Sequence, residues 1–451
     1  MSPETRSPQS PPQQPPQVGL KDARRIAFAA FVGTALEWYD YFLFGTAAAL
    51  VFNRLFFTDL DPAGATLAAF ATFGVGFAAR PIGAVVFGWI GDRYGRRPAL
   101  LITIVMIGCA TGLIGVLPDY LAVGIAAPIM LAVLRLVQGF AVGGEWGGAT
   151  TIAIEHSPEK QRGRFAALVQ IGSPVGTLIS SGAFALVLMM PADVFDAWGW
   201  RLPFLAAFPL LGIALYIRLK VEESPVFQQL VESGEQAKVP VLELFRTSGL
   251  RLLVAVAAAM LGVGGFYIMT TFVVSYGSNV LEVDRQVMVN ATLVAAALQI
   301  VVTIFAGRLA ERFGPGRMTM VGAVATGLAA FPLFWLIDTE NAFAITAAVS
   351  IGIALITLAY AVTGALLAEL FPPQLRYSGV SLGYNIAGAL SGFLPLVATA
   401  LLTVGGGASW PAVLVLIAIC AVTAVGGAVG ERMRLTDDSA RLLTAGGSRA
   451  K

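Results

Sequence analysis

The chain reads as an all-α integral membrane protein with about twelve transmembrane helices in two pseudo-symmetric six-helix bundles. Three observations predict this. Of 451 residues, 57% are hydrophobic and only 12% are charged, with a mean hydropathy of +0.78; a soluble domain carries about 25% charged residues. The charges gather in short islands between apolar runs of about 20 residues, the length that crosses ~30 Å of hydrocarbon. Finally, the loop GWIGDRYGRR at 88–97 returns as GRLAERFGPGR at 307–317. Gly88 and Gly307, Asp92 and Glu311, Arg93 and Arg312, and Gly95 and Gly314 share one offset of 219. A charged loop repeated at that distance marks two homologous halves, between which something is expected to move.

Taken in order, residues 1–20 are a Pro/Gln/Ser-rich tail, expected to be disordered and cytoplasmic, with no cleavable signal. Spans are expected at 26–50, 64–90, 98–117, 123–150, 165–190 and 200–219, forming an N-terminal bundle over 21–219. The largest polar island, 220–250, reads as a cytoplasmic linker. Spans at 251–277, 287–306, 318–337, 343–367, 379–403 and 410–430 form the C-terminal bundle over 251–430, and 431–451 is a second cytoplasmic tail. A second duplication supports the split: Glu155, Pro158 and Arg162 in EHSPEKQR recur as Glu369, Pro372 and Arg376 in ELFPPQLR, offset by 214. Fifty glycines suit close helix approach in lipid, and Gly139/Gly143/Gly147 and Gly172/Gly176 read as packing faces.

Orientation follows from Lys and Arg. With the N-terminus inside, all 29 fall in inner segments except Arg54, Arg201 and Arg285 outside and Arg80 and Arg135 within spans. Both termini are therefore expected in the cytoplasm, with the chain in the inner (plasma) membrane. Cys109 and Cys420 fall in separate spans and read as small buried residues.

An ionisable group at mid-membrane is costly and marks function by default. Five are found, all in the N-terminal half: Glu37, Asp40, Arg80, Arg135 and Glu145. Helix rise places Glu37, Arg80 and Glu145 about 15–18 Å from the cytoplasmic charge layer, so a shared cavity is expected, with Arg80 pairing Glu145. Glu37 and Asp40, at i and i+3, share a face, and one is expected to hold a proton that it loads outside and releases inside. Arg80 can also hold a substrate carboxylate bidentately. Tyr41, Gln138, Gln170, Tyr267, Tyr384 and Asn385 are the uncharged polar groups expected to face the cavity.

The loop GDRYGRR resembles the signature of the major facilitator superfamily. RLVQGFAVGGEWGGA, EWYDYFLFG, ARPIGAVVFG and WGWRLPF narrow the resemblance to the metabolite:proton symporters, which include carriers of shikimate, α-ketoglutarate, citrate and proline/betaine. The resemblance spans about 24–430, and GFAVGGEWGGA and RYSG…GY (376–384) are most similar to the shikimate-like branch. It implies a proton-coupled importer of a small organic acid working by alternating access. No enzyme activity or cofactor is implied; the energy source is the proton gradient. Partners are then a small carboxylate, protons and the lipid bilayer, with no nucleic acid, and a functional monomer is expected. Arg135 resembles the span-4 arginine that sugar porters pair with a span-1 acid, which makes Asp40 its expected partner and the first choice for proton carrier.

Asp92, Arg93, Arg96, Arg97, Glu155 and Arg162, with Glu311, Arg312, Glu369 and Arg376 in the second half, are expected to form cytoplasmic latches that stabilise the outward-open state. Pro315 and Gly316 replace the paired arginines in the second copy, so that latch is expected to be weaker. His156 reads as a solvated loop residue. A zwitterionic osmolyte carrier is the alternative, although 431–451 lacks coiled-coil heptads; a proton-coupled exporter comes third. No Walker, HExxH or zinc-type spacing is present, so ATP-driven and metalloenzyme chemistry lack support.

Overall fold

Helices carry the entire fold. The computed structural model describes residues 20–94, 96–157, 161–220, 240–372 and 375–447, and among these no strand occurs. Twelve long helices follow one another: α1 (Leu20–Ala47), α2 (Pro62–Tyr94), α3 (Arg96–Ile114), α4 (Ala126–Glu155), α5 (Arg162–Val187), α6 (Ala192–Leu219), α7 (Leu242–Asn279), α8 (Arg285–Phe313), α9 (Pro315–Ile337), α10 (Ala342–Leu370), α11 (Arg376–Val404) and α12 (Trp410–Thr436). Eleven of these are long and apolar enough to cross a membrane among the described residues. The other is α1, whose apolar run is interrupted by Glu37 and Asp40.

The duplicated loops fall at equivalent places. GDRYGRR joins α2 to α3 and GRLAERFGPGR joins α8 to α9, six helices later. EHSPEKQR and ELFPPQLR likewise follow α4 and α10. Between the halves, α2 lies on α11 and α5 on α8.

Glycine decides how closely the N-terminal helices approach. A Cβ on Gly139 would strike the Gly76 carbonyl, and one on Gly143 would strike the Arg80 carbonyl, so α4 runs backbone-to-backbone along α2. Gly172 and Gly176 do the same for α5 against α1. Gly147 instead meets Ser381 of α11, so this third glycine serves the seam between halves.

Helix limits differ from two of the expected boundaries. The linker was expected to reach 250, but the helix that carries α7 already opens at Pro240 and kinks at Ser248; residues 221–239 lie outside the described residues. The C-terminal tail expected from 431 is helical to Gly447, because α12 simply continues past its apolar stretch. Residues 1–19 lie outside the described residues. His156, expected in a solvated loop, is buried: it caps α4, and its Nδ1 lies 2.7 Å from the Ile152 carbonyl oxygen. Cys109 and Cys420 are both free.

A Gly139→Leu change should force α2 and α4 apart and cost about 1–3 kcal/mol. The check is thermal unfolding of detergent-purified protein, where an unshifted midpoint would contradict the backbone-to-backbone packing.

Candidate functional site

The polar centre is organised around one aromatic stack. The rings of Tyr41 (α1) and Phe77 (α2) lie 5.2 Å apart and nearly parallel. Arg80 and Arg135 both approach this stack. Arg80 lies 5.1 Å from the Tyr41 ring and 5.4 Å from Phe77, and Arg135 lies 5.4 and 5.6 Å from the same two rings. Each guanidinium is 1% exposed, and each takes its own acid from α1. Glu37 Oε1 accepts from Arg80 Nη2 at 3.0 Å, and Asp40 Oδ2 accepts from Arg135 Nη1 at 3.1 Å. The i, i+3 spacing of the two acids thus supplies two separate ion pairs, one turn apart.

Arg135 is further caged by Phe44 (4.4 Å) and Phe73 (5.0 Å), a face-on geometry that suits a desolvated cation. Its Nε and Nη2 have no hydrogen-bond partner. Asp40 is better served: Thr111 Oγ1 donates to it at 2.7 Å, and Gln138 Nε2 donates as well.

Arg80 faces the other half. Its Nε donates to Asn385 Oδ1 of α11 at 3.0 Å, and Asn385 Nδ2 donates to the Gly143 carbonyl at 2.9 Å. Ser381 and Tyr377 donate to the Gly143 and Gly144 carbonyls, closing α11 onto α4. Around Arg80, the Tyr41 and Tyr267 hydroxyls, Trp38 Nε1 and Glu37 Oε2 are buried with no hydrogen-bond partner. Polar atoms left unmatched in a buried site are costly, and they collect where a ligand or ion is to be met. Tyr267 sits between two π-helical turns of α7, Leu261–Gly265 and Ile268–Phe272, and widened turns of this kind recur at functional sites.

The Major Facilitator Superfamily model matches residues 30–393. The chain belongs to the major facilitator superfamily. It is 40% identical over 418 residues to the shikimate transporter of Escherichia coli (strain K12), covering 90% of this chain and 94% of that protein. It is 33% identical over 426 residues to the proline/betaine transporter of the same strain, covering 92% and 84%. The partially occluded inward-open structure of the xylose transporter XylE from E. coli shares the fold, with a TM-score of 0.70 at 18% identity, over 90% of this chain and 97% of that one. This chain is therefore a multi-pass membrane transporter and not an enzyme.

Within this facilitator, the sequence-predicted residues divide. Glu37, Asp40, Tyr41, Arg80, Arg135, Tyr267, Tyr384 and Asn385 converge at the centre. The expected Arg80–Glu145 pair does not form. Gly143 faces α2, and Glu145, two residues on, is rotated by about 200°, toward α3 and α6. There it meets Arg218, and Thr103 Oγ1 donates to it at 2.7 Å. Gln138 and Gln170 were expected to line the cavity, but protein groups occupy both amides. Gln138 serves Asp40; Gln170 accepts from Trp146 Nε1 at 3.1 Å and lies 3.4 Å from the Tyr360 carbonyl. Trp146 in turn stacks on Tyr384 at 3.6 Å.

Of the latch residues, the side chains of Asp92, Arg93, Arg96 and Glu155 lie outside the described residues. Arg97 donates to the Leu219 carbonyl at 2.7 Å, Arg376 to that of Ala368 at 2.8 Å, and Arg312 lies over Phe313. Glu311 pairs with Arg164 of α5 at 2.9 Å, a bond across the halves. Glu369 and Arg162 line one cavity with Glu311 and Arg434. The second loop is not bare where arginines were lost. Gly314 takes φ +91°, the Gly316 amide donates to Glu431 of α12 at 3.1 Å, and Arg434 bridges Glu431 (2.7 Å) to Glu369 (3.5 Å). Sequence reasoning missed Arg164, Arg218, Glu431 and Arg434, each taken for an ordinary boundary charge. Asn385→Leu should leave Arg80 Nε unpaired and remove one of the two side-chain donors to the Gly143 carbonyl, costing about 1–3 kcal/mol. An unchanged thermal midpoint in detergent would show that this cross-half link is energetically idle.

Proposed function

We propose that this transporter is a proton-coupled symporter that imports a small organic acid by alternating access between its 21–219 and 251–430 bundles. In this reading it lies in the inner membrane as a functional monomer with both termini cytoplasmic, uses no cofactor and draws on the proton gradient.

The observation that carries the reading is Arg80. It is a buried cation at the seam between halves, held on one side by a carboxylate and on the other by a carboxamide, among hydroxyls that have no partner. A guanidinium is matched to a carboxylate, and unpaired phenols suit a hydroxylated acid such as shikimate. The substrate carboxylate takes Arg80 in place of Glu37, with Tyr41, Tyr267, Tyr384 and Asn385 as contacts. Asp40 carries the proton. When protonated it no longer balances Arg135, and that change biases the rocking equilibrium between outward and inward states. The Arg164–Glu311 bond acts as the cytoplasmic latch of the outward state. Glu369, Arg376, Arg312, Arg97 and Arg162 act beside it.

A second reading, a zwitterion such as proline or betaine, is favoured by one feature. Trp38, Tyr41, Phe77 and Tyr267 form a continuous aromatic wall near the Arg80–Glu37 pair, and aromatic walls bind quaternary ammonium groups.

In proteoliposomes, Asp40→Asn should retain substrate exchange and lose uphill uptake. The measurement is uptake of labelled shikimate, α-ketoglutarate, citrate and benzoate, with proline and betaine alongside, with and without a protonophore. Full proton-driven accumulation by Asp40→Asn would overturn the role of Asp40, and uptake confined to proline or betaine would favour the second reading. Arg80→Lys should raise the Michaelis constant for the acid about tenfold, a loss of about 1.4 kcal/mol, at similar expression. An unchanged constant removes Arg80 from the substrate site.

A further inference from the structure

Glu145 and Arg218 form a third buried charge pair, which the reading above does not use. Glu145 is 1% exposed and Arg218 is 5% exposed. They meet against α1 at Gly33, where any Cβ would run into both side chains. Seven residues further along α1 lies Asp40. The same order is repeated on α3: Thr103 donates to Glu145, and Thr111, eight residues on, donates to Asp40. The two carboxylates are therefore stacked about 10–12 Å apart along one groove between α1 and α3.

That groove is not fully packed. A void of about 10 Å³, room for about one water position, has Glu145 at one end and Thr111 at the other, with walls formed by Leu36, Ile104, Ile107 and Gly108. Every residue lining it belongs to α1, α3, α4 or α6. No helix of the C-terminal half touches it, whereas Arg80 and its hydroxyls lie on the seam between halves.

We propose that the proton leaves Asp40 for the cytoplasm through this interior groove, with Glu145 as the relay, and so travels apart from the substrate. The inference rests on Asp40 as proton carrier. The Asp40 carboxyl passes its proton to water in the groove. That water passes a proton to the Glu145 carboxylate, which delivers it to cytoplasmic water near the end of α6, and both acids return to carboxylates. Arg218 and Thr103 bond the Glu145 carboxylate, as Arg135, Thr111 and Gln138 bond that of Asp40; Glu37, paired with Arg80, is the remaining acid nearby. The apolar walls keep the relay from leaking in the resting state, since a continuous water file requires them to part.

The test uses the full chain in proteoliposomes with a lumenal pH dye. It compares wild type, E145Q/R218Q (which neutralises both charges and keeps polar side chains) and Leu36→Phe (which fills the groove and leaves every charge). Both variants should keep counterflow of the transported acid within about threefold, while proton movement per substrate falls at least tenfold, the lower end of what a positioned acid–base group contributes. Wild-type proton movement in both variants would overturn the proposal. So would joint loss of counterflow and proton movement in E145Q/R218Q alongside normal proton movement in Leu36→Phe, since the pair would then be structural. Asp40→Asn separates the two ideas: if it stays coupled, the carrier assignment fails; if it uncouples while both groove variants remain coupled, only the relay fails.

Discussion

Two buried guanidinium groups impose the arrangement of everything around them. Arg80 and Arg135 cannot shed their charge, so each must find an anion and a polarisable wall within its own reach. Both anions come from α1, one turn apart, and both walls come from the same Tyr41–Phe77 stack. For Arg135 to reach that stack, α4 must run against α2, which the glycines at 76, 139 and 143 permit. The aromatic content of α1 and α2, the glycines of α4 and the two acids thus form one connected solution.

Much of this was legible in the sequence, for physical reasons. Apolar runs and charge islands locate helices because lipid leaves backbone groups no other partner. Intramembrane charges stand out for the same reason, so the residues at the centre could be named before any coordinates. The pairing was harder. Linear depth put Arg80, Glu37 and Glu145 at one level, but the rotation of α4 decides that Glu145 looks away from α2. Arg218 was invisible because an arginine at the end of an apolar run resembles an interfacial anchor, and only Gly33 on a different helix makes room for it. The amides of Gln138 and Gln170 fail similarly: depth can be read from spacing, but hydrogen-bond partners on other helices cannot.

The duplication is real in the connections and broken in the chemistry. Both copies of the charged loop follow helices that occupy equivalent places in the chain. Yet the second half spends its loop differently, using Gly314 and Gly316 to admit a carboxylate from α12 at the start of α9. Loss of the paired arginines therefore reflects a change of partner, and Arg434 completes a network that in the sequence looked truncated.

The Arg80–Glu37 contact has one more consequence. With its guanidinium already occupied by a side chain of the same protein, the site contains a tethered competitor at high effective concentration. If Arg80 binds the cargo as proposed, an incoming anion must displace that tether, so net affinity is set by a difference between two carboxylates and not by the strength of either. Such a site holds its cargo only moderately even when every contact is good, and Glu37 stands ready to reclaim Arg80 as the cargo departs. Under the proposed role of Arg80, release of the cargo is thereby favoured by the ion pair of the empty protein.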